Sequence, residues 1–118
     1  MGEESRIYLL TEFTIQAGKV DEFKKIAQEL LDAAKEEPET LRYLFYFDKD
    51  ESKSYVVEEY PNAAAFRAHA LHVGTALPKI LKIAKPKFTL LGKPNLPSKE
   101  VLSAFGAQNF TYWNGLSH

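Results

Sequence analysis

Residues Ser54–His72, SYVVEEYPNAAAFRAHALH, carry the turn on which the fold depends. Ser54 to Tyr60 is rich in β-branched and aromatic residues and reads as a strand, with Glu58 and Tyr60 on one face. Pro61-Asn62 breaks it, and Asn62 is placed to cap a helix whose body runs from Ala63 to His69. Just upstream, Thr40 to Asp48 (TLRYLFYFD) is a second aromatic-rich strand, followed by the polar turn Lys49-Asp-Glu-Ser-Lys53. The two strands therefore form an antiparallel hairpin that runs straight into a helix.

Working outward, Ile7 to Ile15 (IYLLTEFTI) is a first strand. Ile7, Leu9, Thr11, Phe13 and Ile15 lie on one face; Tyr8, Leu10, Glu12 and Thr14 lie on the other. A helix follows from about Lys19 to Glu36, with Val20, Phe23, Ile26, Ala27, Leu30, Leu31 and Ala34 forming a stripe of 3.6-residue period that Pro38 ends. Beyond His72, Gly74 separates a short helical piece, about Thr75 to Ala84, which Lys85-Pro86 stops. Lys87 to Leu91 supplies a fourth short strand. The order is β-α-β-β-α-β with a broken second crossover, which predicts an α+β, ferredoxin-like fold with a four-stranded antiparallel sheet. The expected organisation is an N-terminal tail over 1–6, the domain over 7–92, and an extension over 93–118. That extension holds a helical turn capped by Ser98 and an aromatic end, Phe110, Tyr112 and Trp113, which is expected to pack on the domain or on a partner subunit.

Both helices of such a fold cover the same face of the sheet. The other face would carry Tyr8 and Leu10, and a bare apolar face of several hundred square ångströms is rare on a soluble monomer. Pairing two copies face to face buries both, so a homodimer through the sheet is expected. With 15 basic residues against 16 acidic ones, the net charge is −1. That balance, without a long basic run, argues against nucleic acid as a partner. There is no cysteine, which removes disulfides and thiolate chemistry. No stretch approaches the roughly 20 apolar residues of a membrane span, and the polar N-terminus is unlike a signal peptide, so a cytoplasmic protein is expected.

The candidate chemistry centres on the opening stretch. His69 and His72 are three apart and share a helix face. A metal site would need a third ligand that is not apparent, so no metal is expected. Either imidazole can serve as a general base or hold a ligand, while His69 can equally anchor the end of its helix on backbone carbonyls. Glu58, on a helix-facing side, needs a partner, for which Arg42, Arg67 and the histidines are candidates. Thr11 is the one polar residue on its strand face. Tyr43, Tyr46, Tyr55 and Tyr60 are phenols able to line a cavity for an aromatic or quinone-like molecule, or simply core residues. Phosphate-binding glycine loops, dinucleotide fingerprints and nucleophile elbows are missing from the sequence.

The strand running into Glu58-Glu-Tyr60, then Asn62-Ala-Ala-Ala-Phe-Arg-Ala-His69, resembles the antibiotic biosynthesis monooxygenase superfamily, in which Glu-x-Trp often precedes Ala-(aromatic or Leu)-x-x-His. The first strand followed by Gly18-Lys-Val-Asp-Glu-Phe23 resembles the family's opening, and the likeness covers about Ile7 to Leu91. The resemblance implies a dimeric α/β barrel with a cavity between sheet and helices. Members oxidise quinols or anthrones with molecular oxygen and no metal or flavin, degrade haem, or isomerise small phosphorylated signalling sugars, and many have no known activity. Tyr60 where Trp is common, and Thr11 near where haem degraders place Asn, point away from haem. Carried over, Tyr60 and His69 would line the pocket, with Glu58 and Thr11 beside them; His69 is then the expected catalytic base, and His72 is a further expected contact for a small hydrophobic or aromatic ligand. The expected function is a cofactor-independent monooxygenase of a small hydroxylated aromatic or quinol. The alternatives are an isomerase and a non-enzymatic dimeric binding or stress-response module.

Overall fold

A computed structural model describes residues 2–118; Met1, at the head of the expected N-terminal tail, lies outside them. A single 3-10 turn, Gly2–Glu4, leads into β1 (Ile7–Ile15) and α1 (Val20–Ala34). The hairpin β2 (Arg42–Phe47) and β3 (Lys53–Tyr60) follows, then α2 (Ala63–Val73), α3 (Leu77–Leu81) and β4 (Ala84–Leu91). The chain continues into α4 (Leu96–Ala104) and β5 (Gln108–Phe110). The sheet is open, in the order β2-β3-β1-β4-β5.

The first four strands are antiparallel neighbours, which is the ferredoxin-like arrangement expected from the element order. The expected count of four strands is one short, because β5 adds to the free edge of β4 in parallel. Two features pin it. The backbone N–H of Gly92 donates to Phe110 at 2.8 Å, and the Asn109 amide donates to the Leu90 and Gly92 carbonyls at 3.0 and 2.9 Å. β4 also begins three residues earlier than Lys87, taking in Pro86. β5 reaches only Thr89 to Leu91, so Pro86 lies where β4 is an edge strand and its missing N–H costs no ladder bond.

The helices cover one face of the sheet. Phe23 is fully buried and meets Phe13, Phe45 and Phe47 edge to face, while Ile26, Leu30, Ile80 and Ile83 fill the space around this group. A second cluster, Ile7, Leu9, Tyr60, Phe66, Phe88 and Leu90, receives Leu102 from α4. The extension over 93–118 therefore lays a full helix against its own domain rather than a single turn. Its cap is Asn95, whose side chain accepts from the Ser98 backbone at 3.1 Å, and not Ser98. Pro97 falls within the first turn of that helix, where a proline lacks nothing it needs. On the opposite face of the sheet, Leu10, Leu44 and Val57 align across neighbouring strands and are only half-buried. Among the described residues, no helix is long and apolar enough to cross a membrane.

Candidate functional site

Between the sheet's helix-covered face and helices α2, α3 and α4 lies a cavity of about 350 Å³. Leu9, Thr11, Phe13, Val56, Glu58 and Phe88 form its floor. One side is α2, from Phe66 to Gly74; the other is α4, through Pro97, Ser98, Val101, Leu102 and Phe105. The lining is overwhelmingly apolar, and its buried polar side chains lie at the closed end. There Thr11, Glu58 and His69 are 1, 7 and 4% exposed.

His69 reaches this end because α2 runs past its expected stop at His69 to Val73, presenting Phe66, His69 and Val73 to the sheet. Its ring is wedged between Tyr43 and Tyr60, with centroids 5.0 and 5.4 Å away. Its Nδ1 is bonded to Glu37 Oε1 at 2.6 Å, and its Nε2 faces Glu58 Oε1 at 3.6 Å. The Thr40 hydroxyl donates to the same Glu37 oxygen at 2.7 Å, and His72 Nδ1 takes the other. The Tyr60 hydroxyl donates to Glu58 at 2.5 Å. A histidine thus sits in a line of groups, Thr40–Glu37–His69–Glu58–Tyr60.

The two carboxyls are tuned in opposite directions. Burial works against an ionised Glu37, but hydrogen bonds from His69, His72 and Thr40 outweigh it and hold the group below the usual carboxylate range. Burial pushes Glu58 up; the neighbouring imidazole and the Tyr60 hydroxyl offset only part of that. Burial, then the charges of Glu58 and Glu37, also drive the Tyr43 and Tyr60 phenols up, so both stay protonated donors. An ionised Glu37 accepts a hydrogen bond from Nδ1–H, which fixes the ring with Nε2 turned toward Glu58 at the closed end of the cavity. An imidazole so oriented, in its neutral form, can take a proton from a bound hydroxyl, beside a Glu58 carboxyl whose pKa burial has raised.

Of the five expected site residues, His69, Glu58 and Thr11 line the cavity together. Tyr60 does not border it; fully buried behind His69, it acts on Glu58. His72 shares a helix face with His69 as its spacing implies, but it lies outside the cavity with about half its side chain exposed and grips Glu37 from there. Tyr43 is a wall residue, whereas Tyr46 and Tyr55 lie on the opposite side of the sheet and are exposed. Arg42 pairs with Glu59 rather than Glu58. Glu37 was not among the expected residues; it stands outside the α1 periodicity, next to Pro38, and only the closed fold brings it to His69. Among the described residues, no cluster of three histidine, cysteine or acidic side chains is arranged to hold a metal.

The sequence profile of the family described as "antibiotic biosynthesis monooxygenase" matches residues 6–72, from β1 to the end of α2. The chain belongs to that family. The matched span contains Glu37, Glu58, His69 and His72, while α4, the far wall of the cavity, lies beyond it. No curated protein sequence matches the chain. Among solved structures, MupZ from Pseudomonas fluorescens superposes with a TM-score of 0.83 at 18% identity, covering 97% of this chain and 95% of its own. A candidate antibiotic biosynthesis monooxygenase from Caulobacter crescentus CB15 gives 0.68 at 23% identity, covering 76% of this chain and 91% of its own. A conserved protein from Methanosarcina mazei Go1 gives 0.69 at 16% identity, covering 76% and 94%. At these identities the likeness is one of fold. The extent of the MupZ match means that its fold also takes in most of the segment that follows β4.

Proposed function

We propose that this antibiotic biosynthesis monooxygenase family member binds a small hydroxylated aromatic or quinol in its cavity and oxidises it with molecular oxygen, without metal or flavin. The observation that carries the proposal is the His69 imidazole, oriented by Glu37 and facing a raised-pKa Glu58 at the closed end of an apolar chamber. In this reading His69 accepts the phenolic proton, and Tyr43 and the strand aromatics hold the ring. The dry walls leave the resulting anion poorly solvated and therefore a better reductant of oxygen. For a ring methylene activated by a phenol, the balance is CH2 + O2 → C=O + H2O. Two C–H bonds break and a carbonyl forms, one oxygen atom enters the product and the other leaves as water, and all four electrons come from the substrate.

Oxygen uptake with a panel of hydroquinones and anthrones tests this directly. Consumption that follows protein concentration and is lost in His69→Ala is the expected result. No uptake with any of them, together with turnover of a carbonyl compound under anaerobic conditions, would replace the monooxygenase with an isomerase. Ligand binding without product would leave a binding module.

The protein also pairs with a second copy through the uncovered face of its sheet. In support, Leu10, Leu44 and Val57 form a half-buried apolar row there, flanked by the exposed rings of Tyr46 and Tyr55. A twofold pairing would bury the same row on both copies.

A further inference from the structure

Arg67 stands across α2 from His69. Positions two apart on a helix of 3.6 residues per turn point about 200° from each other. The two side chains thus leave opposite edges of the α2 surface that borders the cavity, separated by about the 10 Å width of a helix with its side chains. His69 is at the closed end. Arg67 is exposed at the mouth, beside the exposed apolar residues Leu71, Val101 and Phe105. Among the described residues Arg67 makes no ion pair, although both of the chain's other arginines, Arg6 and Arg42, and several lysines do. Glu58, at the far end, is the other acidic or basic residue besides His69 that borders the cavity. The chamber is therefore asymmetric along its length, with one carboxyl, Glu58, beside His69 inside and one unpaired guanidinium at the lip.

A carboxylate that entered first would be stripped of water among apolar walls, whereas one that trailed would stay partly solvated and meet Arg67. The geometry points to an aromatic carboxylate as the ligand class, with the ring system in the cavity, a hydroxyl at His69 and the carboxylate on Arg67 at the mouth. This rests on the cavity being the binding site, and it adds Arg67 as the residue that sets substrate class and orientation. A fused bicyclic ring substituted at opposite ends has the reach to touch both residues.

The test is calorimetric titration of the full chain with 6-hydroxy-2-naphthoate and with its methyl ester, which keeps the body and removes the charge. The acid is expected to bind about fivefold tighter at low ionic strength, the scale of one partly solvated charge pair. The preference should shrink in 0.5 M salt. Arg67→Gln should bring the ratio of the two affinities to about one, Arg67→Lys should keep a preference, and Arg67→Glu should reverse it. Circular dichroism checks that each variant is folded, as expected for an exposed position. Equal binding of acid and ester by the unaltered protein, or a preference that survives Arg67→Gln, overturns the assignment while leaving the cavity reading intact. Failure of both compounds to bind overturns the cavity reading and this inference with it.

Discussion

Replacing Glu37 with glutamine should weaken the protein by an amount that depends on pH. Glu37 accepts from His69 and Thr40 at one oxygen and engages His72 at the other. The glutamine carbonyl can keep the first two bonds but not their charge assistance. A hydrogen bond to a charged group is worth about 1.5–3 kcal/mol against about 0.5–1.5 kcal/mol for a neutral one, so roughly 1 kcal/mol is lost at His69. The half-exposed His72 adds at most a few tenths of a kcal/mol after solvent screening. The total, about 1–1.5 kcal/mol at pH 7, corresponds to a fall of roughly 4–6 °C in Tm for a domain of this size. Glu37 titrates below its ordinary value in the folded protein. Its contribution is therefore full above the unfolded carboxylate pKa of about 4.3 and fades as pH falls toward the folded value. Urea unfolding of both proteins at pH 7 and at about pH 3.5, at one protein concentration, should show the gap narrowing at the acid end. A gap that is absent at pH 7, or equally wide at the lower pH, would refute the placement of an ionised Glu37 under His69.

Other outcomes follow from single positions. Gly92→Ala should cost well over 2 kcal/mol, because φ is +112° and a Cβ would lie 2.4 Å from the Arg6 carbonyl oxygen. Gly18→Ala, at φ +80° but in open space, should cost only about 1 kcal/mol, and thermal melts of the pair separate strain from clash. Leu10→Glu should shift sedimentation toward the 13.4 kDa monomer while the circular dichroism of the helix-facing core persists; an unchanged mass would count against pairing through the sheet. Glu58→Gln should raise stability at neutral pH relative to the parent, since a carboxyl whose folded pKa is raised loses stability as pH climbs through that value. A difference that stays flat from about pH 4, near the unfolded carboxylate pKa, up to neutral pH would contradict a raised Glu58 pKa.

The fold was legible wherever one short-range period decided an element. The alternation of Ile7–Ile15 placed Thr11 on the helix side, the stripe from Val20 to Ala34 gave α1, and Asn62 marked the start of α2. The strand order followed from the sequence of elements, because a hairpin between two helical crossovers leaves few ways to pair. What stayed hidden were features set by distant partners. β5 is three residues long and exists because Asn109 and Gly92 bond across its edge, a contact no local pattern announces. Ser98 read as the cap of a helical turn, yet Asn95 caps α4 and Ser98 lies inside it. In the site, His69, Glu58 and Thr11 were visible from strand and helix phase. Tyr60 was on the right face but one layer too deep to reach the cavity, and Tyr46 and Tyr55 fall on the opposite strand phase. Glu37 comes from a loop without periodicity, so only the folded chain reveals it as the group that orients the histidine.

The proposed chemistry requires a ligand to enter the helix-side cavity next to His69. Methyl-labelled NMR with 2-naphthol as the titrant addresses that directly. The methyls of Leu9, Val56 and Ile80 and the ring signals of His69 should shift together and saturably, while those of Leu10 and Leu44 on the outer face stay still. Shifts confined to Leu10 and Leu44, or none at all at millimolar 2-naphthol, would contradict it.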